Sequence, residues 1–238
     1  MYFAVKYSIF VGNSYCMKSR KTVIIVAGGK GERMNAQIPK QFLELAGKPV
    51  LMHTIQRFHS YSDEMLLILV LPASQIEFWK ELCVKYNFSI PHRIVEGGSV
   101  RFFSVKNALN TIQNAGLVAV HDGVRPLVDV DTIERCFAEA EKSGAAIPVT
   151  DPVDSIRKVT ENENRAVDRK EFKLVQTPQV FRADILLRSY DQPYNELFTD
   201  DASVAEATGF TIKTVKGNRE NIKITTPFDL KLAELLLT

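Results

Sequence analysis

Residues 26–41 read Val-Ala-Gly-Gly-Lys-Gly-Glu-Arg-Met-Asn-Ala-Gln-Ile-Pro-Lys-Gln. The stretch follows an apolar, β-branched run at 22–26, which predicts a loop that leaves a buried strand. Its glycines allow the backbone to approach a ligand with free N–H groups. These glycines are Gly28, Gly29 and Gly31, and the cations beside them are Lys30, Arg33 and Lys40. Backbone N–H groups combined with cationic side chains indicate a site for a triphosphate.

Two common phosphate-binding motifs do not fit this loop. A P-loop has Ser or Thr after its Gly-Lys pair, and here Gly31 follows Gly29-Lys30. A dinucleotide-binding fingerprint requires Gly-x-Gly-x-x-Gly, and Met34 stands where the third glycine would be. Glycine turns are common between a strand and a helix, so the specific part of the signal is Arg33 together with Pro39-Lys40-Gln41.

Composition narrows the class of protein and its partners. Of the 238 residues, 45% are hydrophobic and 24% are charged, which is typical of a soluble globular protein. The formal net charge of +2 is too small to indicate nucleic acid or an acidic membrane surface. Cys16, Cys83 and Cys136 match neither metal-site nor redox spacing. Sparse, odd cysteines suit a reducing compartment, and we expect a cytoplasmic protein.

The first 20 residues differ in character from the rest of the chain. Their apolar stretch is broken by Ser8, Gly12 and Asn13 and lacks the order of a signal peptide. No apolar run in the sequence approaches the ~20 residues that span a bilayer. We interpret 1–20 as an extension of the domain at 21–238, with Met17 as an alternative start. A strand that packs elsewhere is the other interpretation.

Predicted strands and helices alternate after the opening loop. This alternation predicts a mostly parallel, Rossmann-like α/β sheet with helices on both faces. Ligands of such sheets bind beyond the carboxyl ends of the strands. The predicted strands are 23–26, 65–71, 93–95, 117–121, 145–149 and 211–215. The predicted helices are 50–60, 74–86, 100–115, 131–143 with Asp131 as its N-cap, 182–190, 200–208 and 227–236.

The alternation is interrupted at about 151–172. Two short segments, 155–159 and 165–168, flank a polar loop there and predict a β-hairpin that projects from the domain. Isolated hairpins are only marginally stable in water. We therefore expect this arm to pack against something else, and a second subunit is a reasonable candidate.

Two glycine-containing turns follow predicted strands. Gly97-Gly98 precedes a helix whose first turn carries Arg101 and Ser104 on one face. These groups could read a polar base edge, or Ser104 could simply cap the helix. Asp122 ends a buried strand in His121-Asp122-Gly-Val-Arg125-Pro. An acid there suits Mg²⁺, an ion pair with Arg125 is the alternative, and His121 is expected to pack.

Near the C-terminus, Lys223 lies between two isoleucines. Strand-like alternation would direct its side chain away from the core, toward a cleft or toward water.

Eight motifs follow one another from about residue 22 to the C-terminus. Each is weak alone, but the ordered set is specific. They are Ala27-Gly-Gly-x-Gly-x-Arg33-Met, Pro39-Lys40-Gln41, Gly97-Gly98-x-x-Arg101-x-x-Ser104-Val105, His121-Asp122-x-x-Arg125-Pro126, Val167-Asp168-Arg169, Thr177-Pro178-Gln179, Thr199-Asp200-Asp201-Ala202-Ser203 and Asn221-Ile222-Lys223. With them the chain resembles the 2-C-methyl-D-erythritol 4-phosphate cytidylyltransferase family of the non-mevalonate isoprenoid pathway.

The resemblance implies cytidylyl transfer from CTP to 2-C-methyl-D-erythritol 4-phosphate, which gives 4-diphosphocytidyl-2-C-methyl-D-erythritol and pyrophosphate. It implies that Arg33, Lys40 and Lys223 stabilise charge on the α-phosphate and that Asp122 holds Mg²⁺ or another divalent cation. The implied nucleotide-binding residues are Ala27, Gly28, Gly29, Gly31, Gly98, Ser104 and Asp122. The implied acceptor-binding residues are Arg125, Ser155, Arg169 and Thr177, with Lys223. The hairpin would reach into the partner subunit of a homodimer.

Three other functions are weighed against this one. A cytidylyltransferase for another sugar-alcohol phosphate, such as ribitol 5-phosphate, would differ in the acceptor pocket and share the triphosphate loop. A non-catalytic nucleotide-binding protein would tolerate loss of Lys40, Asp122 or Lys223, and all three are present. A dinucleotide oxidoreductase is disfavoured by Met34.

Overall fold

The computed structural model describes residues 21–29, 38–113 and 116–237. Strands in these ranges form one eight-stranded sheet and two separate pairs. In chain order they are β1 (Lys21–Val26), β2 (Glu44–Leu45), β3 (Lys48–Pro49), β4 (Leu66–Leu71), β5 (Arg93–Glu96), β6 (Leu117–Asp122), β7 (Ala145–Thr150), β8 (Ile156–Val159), β9 (Asn164–Val167), β10 (Leu174–Val175), β11 (Gln179–Arg182) and β12 (Lys213–Lys216).

The large sheet has the order β10-β7-β11-β6-β1-β4-β5, and β12 also pairs with β7. The β1–β4, β1–β6, β4–β5 and β7–β12 pairs are parallel. Only β10 and β11 run against the other strands. The prediction of a mostly parallel sheet is therefore confirmed.

Helices cover both faces of the sheet, as predicted. They are α1 (Val50–Tyr61), α2 (Ala73–Lys85), α3 (Arg101–Leu109), α4 (Val130–Ser143), α5 (Ala183–Tyr190), α6 (Asp201–Glu206) and α7 (Pro227–Leu237). Alternate residues of β1 show the two layers: Val23 packs in one core cluster with residues of α1, α2 and α4, and Ile24 packs in the other with residues of α3, α5 and α6. Burial on both faces explains why the central strands are continuous apolar runs.

The sequence predictions fail at three places in this framework. The N-cap of α4 is Asp129 and not Asp131, because Oδ1 of Asp129 accepts a 2.6 Å hydrogen bond from the Thr132 N–H. Helix α3 ends at Leu109, well before the predicted residue 115. Strand β11 was not predicted, and neither were the two-residue strands β2 and β3.

The hairpin leaves and rejoins the sheet at a paired base. Its two strands, β8 and β9, form an antiparallel pair in which Ile156 faces Val167. At the base, Thr150 of β7 pairs with Leu174 of β10. The chain then continues into β11, which lies between β6 and β7. Strands at both ends of the hairpin therefore belong to the main sheet.

Two further predictions concern the first 20 residues and the absence of a membrane-spanning segment. The interpretation of 1–20 as an extension falls outside the described residues. Within the described ranges, no helix combines the length and the apolar character that a membrane span requires.

Candidate active site

A cavity of about 250 Å³ opens where β1, β4, β5 and β6 end. Parallel strands bring their carboxyl ends, and the loops after them, to one edge of the sheet. Most of the predicted nucleotide and catalytic residues line this cavity: Ala27, Gly28, Gly29, Lys40, Gly98, Ser104, Asp122 and Lys223. The two remaining ones, Gly31 and Arg33, lie outside the described residues.

Two glycines permit the close approach of neighbouring loops around the cavity. The Gly123 N–H donates to the Val26 carbonyl over 2.9 Å. A Cβ at Gly123 would lie 2.8 Å from the Cβ of Ala27. A Cβ at Gly98 would lie 2.3 Å from the Cβ of Phe103. Both distances are shorter than side chains tolerate, so any larger residue would push these loops apart.

Lys40 begins a short 3₁₀ helix, Lys40–Phe42, that lies against the opening loop. A Cβ at Gly29 would be 3.7 Å from Cε of Lys40, so the lysine stem runs along the glycine turn. The next residue, Gln41, is buried, and its Nε2 donates to the Ala27 carbonyl (2.8 Å) and to Oε1 of Gln75 in α2 (2.7 Å). Gln41 thereby ties the Lys40 segment to β1 and α2.

Sequence reasoning quoted Gln41 within a motif but missed this role, and it missed Gln75 altogether. A glutamine directly after a predicted catalytic lysine was the available signal. Buried amides usually satisfy their hydrogen bonds within the protein, and Nε2 of Gln41 does so, whereas its buried Oε1 has no partner among the described residues.

The turn before α3 is organised by Ser104. Its hydroxyl accepts from the Gly98 N–H (3.1 Å) and donates to the Val100 carbonyl (3.1 Å). Ser104 is only 5% exposed. The hydroxyl therefore shapes the Gly97-Gly98 turn that borders the cavity, and its predicted contact with the base stays a prediction.

Asp122 lies at the centre of a charge cluster. Its Oδ2 accepts from Nε of Arg125 (3.0 Å) and lies 3.1 Å from Nζ of Lys223. The Asp122–Arg125 ion pair of the alternative interpretation is thus present, and Lys223 joins it from the far end of the sequence. Arg125 also donates from a terminal guanidinium nitrogen to the Asn221 carbonyl over 2.8 Å. This contact holds the segment that carries Lys223 against the end of β6.

The cluster fixes the ionisation of Asp122. Burial by itself would raise the pKa of the Asp122 carboxyl. The positive charges of Lys223, Arg101 and Arg125 outweigh burial and hold this pKa well below its ordinary range. The carboxylate is therefore negatively charged at neutral pH.

A buried hydrogen-bond chain supports Asp122 from below. The Asp122 N–H donates to the Thr177 hydroxyl (3.1 Å), which lies 3.0 Å from Nδ1 of His121. The other ring nitrogen of His121, Nε2, lies 3.1 Å from the Arg125 carbonyl, which can only accept. The neutral His121 ring therefore carries its proton on Nε2, and the Thr177 hydroxyl donates a hydrogen bond to Nδ1. Burial lowers the pKa of His121 to about 4, in keeping with a neutral ring.

The predicted acceptor-binding residues are not all brought together within one chain. Arg125 adjoins the cavity through Asp122, and Thr177 is buried beneath it. Ser155 and Arg169 lie with the hairpin, where Arg169 donates to the Val153 carbonyl. None of the cavity-lining residues in the described part of the chain comes from this hairpin. Within the described part of the chain, the predicted acceptor-binding residues therefore lie in two separate places, beside the cavity and on the hairpin.

The cavity offers the carboxylate of Asp122 to a divalent cation. No group of three or more His, Cys, Asp or Glu side chains in the described residues could hold a metal ion. Mg²⁺ needs only one or two carboxylates when phosphate oxygens and waters supply its other ligands. The single ionised carboxylate of Asp122 fits Mg²⁺ held chiefly by a nucleotide triphosphate.

Comparisons with known proteins agree with this geometry. The family profile for 2-C-methyl-D-erythritol 4-phosphate cytidylyltransferase (IspD) matches residues 21–238. The enzyme of that name from Bacteroides fragilis is 55% identical over 217 residues, 91% of this chain and 99% of the relative. The solved 4-diphosphocytidyl-2C-methyl-D-erythritol synthase from Anaerococcus prevotii has a TM-score of 0.78 at 26% identity, covering 92% of this chain and 96% of that one.

A second solved structure shares more of the sequence. The 2-C-methyl-D-erythritol 4-phosphate cytidylyltransferase of Francisella tularensis has a TM-score of 0.75 at 33% identity, covering 91% of this chain and 99% of that one. Sequence and structure thus agree over nearly the whole domain. The chain belongs to the 2-C-methyl-D-erythritol 4-phosphate cytidylyltransferase family.

Proposed function

We propose that the cavity at the carboxyl edge of the sheet binds CTP and that the enzyme joins its cytidylyl group to 2-C-methyl-D-erythritol 4-phosphate there. The observation that carries this proposal is the convergence of Lys40, Lys223 and Asp122 on one cavity beside the glycine turn. These groups come from distant parts of the sequence. Such a convergence is typical of a site that binds a polyphosphate and a divalent cation. An ordinary strand-to-helix turn with only a structural role would not require it.

In the proposed reaction, a phosphate oxygen of the acceptor attacks the α-phosphorus of CTP. A P–O bond forms to that oxygen as the bond to pyrophosphate breaks, and pyrophosphate carries away the electron pair. A phosphate monoester is largely dianionic at neutral pH, since its second pKa is near ~6, so no strong general base is required. Catalysis then depends on positioning and on stabilisation of charge.

The proposed role of each site residue follows from its charge and its hydrogen-bonding groups. Lys40 and Lys223, with Arg33, stabilise the charge that develops on the α-phosphate. The glycine turn with Ala27, Gly28, Gly29 and Gly31 would hold the triphosphate, and Gly98 and Ser104 would help to read the cytosine base. Asp122 would hold Mg²⁺, which would neutralise phosphate charge when bound. Asp122 also holds Lys223 and Arg125 in place.

We further propose that the acceptor site is completed by a homodimer. Arg125 and Thr177 would border the acceptor in one chain, and Ser155 and Arg169 would reach it from the partner's hairpin. The hairpin region exposes several large apolar side chains that a second subunit could cover: Val153, Val159, Phe172, Leu174 and Val175. A dimer of this kind is symmetric, so it would contain two identical sites.

The cellular location is proposed from chemistry alone. Cys83 and Cys136 are free thiols in the described part of the chain. Together with the use of CTP, they favour the reducing cytoplasm.

A pyrophosphate-release assay tests the activity directly. Purified enzyme is given CTP with either 2-C-methyl-D-erythritol 4-phosphate or ribitol 5-phosphate as acceptor. We expect release with the first acceptor and little with the second. Faster release with ribitol 5-phosphate would overturn the acceptor assignment, and no release with either would overturn the proposed function.

A further inference from the structure

A buried ion pair joins the first turn of α3 to the first turn of α6. The terminal nitrogens of Arg101 donate to the two carboxylate oxygens of Asp201, over 2.9 and 2.5 Å. The Tyr190 hydroxyl donates to Oδ1 of Asp201 over 2.6 Å. Asp201 is completely buried. Its carboxylate is thus satisfied by two partners and cannot reach a substrate.

Arg101, in contrast, reaches the nucleotide cavity. It lines the cavity, and its side chain is 30% exposed. The cavity is also lined by Asp122, the proposed metal ligand. A guanidinium has five N–H donors, and Asp201 takes two of them. One side of the fork is therefore anchored while the side chain still borders the cavity.

The position of Asp201 is itself fixed by a second set of contacts. Asp200 caps α6 and forms a capping box with Ser203. Gln179 of β11 donates to Oδ2 of Asp200 (2.8 Å) and accepts from the Ala202 N–H (2.9 Å). Strand β11 thereby sets the start of α6, and the start of α6 sets Asp201.

Two sequence motifs, Thr177-Pro178-Gln179 and Thr199-Asp200-Asp201-Ala202-Ser203, meet in this arrangement. Of these residues, only Thr177 has a place in the proposed reaction. Their joint product is a carboxylate held rigidly behind a cavity-lining arginine. A bidentate pair fixes the plane of a guanidinium, which a single contact would leave free to rotate.

We propose that Arg101 is a further nucleotide-binding residue and that Asp201 is the positioning residue that orients it toward oxygens of bound CTP. This inference rests on the proposed CTP site. Tyr190 assists by donating to the same carboxylate. The buried Asp201 acts only through Arg101, which is the feature that distinguishes positioning from direct binding.

The test measures kcat and KM for each substrate in four variants: Arg101→Gln, Asp201→Asn, the double variant and Tyr190→Phe. Asp201→Asn keeps the size of the side chain but cannot form the charged bidentate pair. We expect it to raise the KM for CTP at least ~10-fold, the scale of a charge-assisted contact, with the acceptor KM changed by less than ~2-fold. Arg101→Gln should give the same pattern.

The double variant separates positioning from structural support. In the Arg101→Gln background, Asp201→Asn should raise the KM for CTP no further, because Asp201 has no arginine left to orient. The double variant should also melt at a higher temperature than Asp201→Asn alone, since it does not leave the half-buried guanidinium of Arg101 without its partner. Tyr190→Phe should raise the KM for CTP by roughly 3-fold, less than loss of the carboxylate does.

Several results would overturn the inference. A normal KM for CTP in folded Asp201→Asn protein would do so, as would equal increases for both substrates. An added KM effect of Asp201→Asn in the Arg101→Gln background would show that Asp201 acts elsewhere. If Asp201→Asn does not fold, a normal KM for CTP in Tyr190→Phe overturns the proposal. Failure of the proposed function itself is distinct, because then the unaltered enzyme would release no pyrophosphate.

Discussion

The nucleotide half and the acceptor half of the proposed site are built in opposite ways. Around the nucleotide cavity, polar groups such as Gln41, His121 and Asp201 are buried and hydrogen-bonded to neighbouring elements. The hairpin residues proposed for the acceptor are exposed, and the arginines beside them, Arg157 and Arg165, pair with Asn164 and Glu163 of the same hairpin. One half is held by contacts within a single chain, while the other is proposed to be completed by a second chain.

This difference teaches where catalysis and where selectivity reside. Charge stabilisation demands fixed groups, because a preorganised cation does not have to reorganise during reaction. In the proposed dimer, recognition of the acceptor would be shared with the hairpin of the partner subunit. Each prediction below tests one half against the other.

The largest effect is expected from the cations of the nucleotide half. Lys40→Ala or Lys223→Ala should lower kcat at least ~100-fold, the scale of one lost electrostatic contact in a transition state. Lys223→Ala also removes a partner of Asp122. The measurement is pyrophosphate release at saturating concentrations of both substrates.

A matched control is Lys80→Ala, which removes an exposed lysine paired with Glu77 on α2. Its turnover should be unchanged. Near-normal turnover of Lys40→Ala or Lys223→Ala would contradict the roles proposed for these lysines.

A smaller, selective effect is expected from the hairpin. Arg169→Ala should raise the KM for 2-C-methyl-D-erythritol 4-phosphate about 10-fold and leave the KM for CTP unchanged, because a charge-assisted phosphate contact is lost. Arg165→Ala, in which the removed arginine pairs with Glu163 of the same hairpin, should change neither value. An increase in the KM for CTP alone would move Arg169 into the nucleotide half.

Co-expression of Lys40→Ala chains with Arg169→Ala chains tests the shared site. A mixed dimer would hold one site with an intact nucleotide half from one chain and an intact hairpin from the other. At low acceptor concentration the mixture should approach roughly a quarter of normal activity, since half of randomly formed dimers are mixed and each has one good site. Activity no higher than the average of the two separate variants would show that each chain builds its own site.

The buried support beneath Asp122 should matter mainly for stability. Thr177→Val keeps the shape of the side chain but leaves the Asp122 N–H and Nδ1 of His121 without their partner. The free energy of unfolding should fall by about 1–3 kcal/mol in denaturant titrations, and the acceptor KM should rise with it. Thr177→Ser, which keeps the hydroxyl, is the control. Unchanged stability in Thr177→Val would remove Thr177 from this network.

The smallest expected effect is a pH dependence of folding stability that arises at His92, far from the hairpin. Nε1 of Trp79 donates to Nε2 of His92 over 2.9 Å, and Nδ1 of His92 lies 2.8 Å from the Ile90 carbonyl. This ring is therefore neutral, and burial lowers its pKa below the ordinary 6.5. Just below pH 6.5 the unfolded chain binds more protons at His92 than the folded one, so stability should fall as the pH drops.

The single tryptophan makes this measurable by fluorescence during unfolding at pH 7.5 and 5.5. A His92→Gln variant should lose less stability between the two pH values than the unaltered protein. Equal losses would mean that other groups carry the acid sensitivity.

Local patterns predicted much of the fold and most of the nucleotide half. Continuous apolar runs marked β4 and β6, and glycine turns after strands marked the cavity, because these signals depend on near neighbours in sequence. The pairing of β11 between β6 and β7 depends on residues up to 65 positions apart, as in the pairing of Arg182 with Leu117. Long-range partners of this kind leave no period in the sequence.

The same distinction applies to side chains. Lys40, Asp122 and Lys223 were predicted from motifs, whereas the Arg101–Asp201 pair joins positions 100 apart and its meaning emerged only in three dimensions. Gln41 was visible within its motif, but its partners Ala27 and Gln75 were not.

The pairing of Thr150 with Leu174 at the base of the hairpin has an evolutionary consequence. This pair closes the hairpin segment at its base. The register of the main sheet there is therefore independent of the residues between Thr150 and Leu174. Insertions, deletions or new charges in the arm can accumulate without displacing the strands that carry Asp122 and Thr177. If the hairpin supplies the acceptor contacts as proposed, substitutions in the arm would alter the choice of acceptor and leave the CTP cavity unchanged.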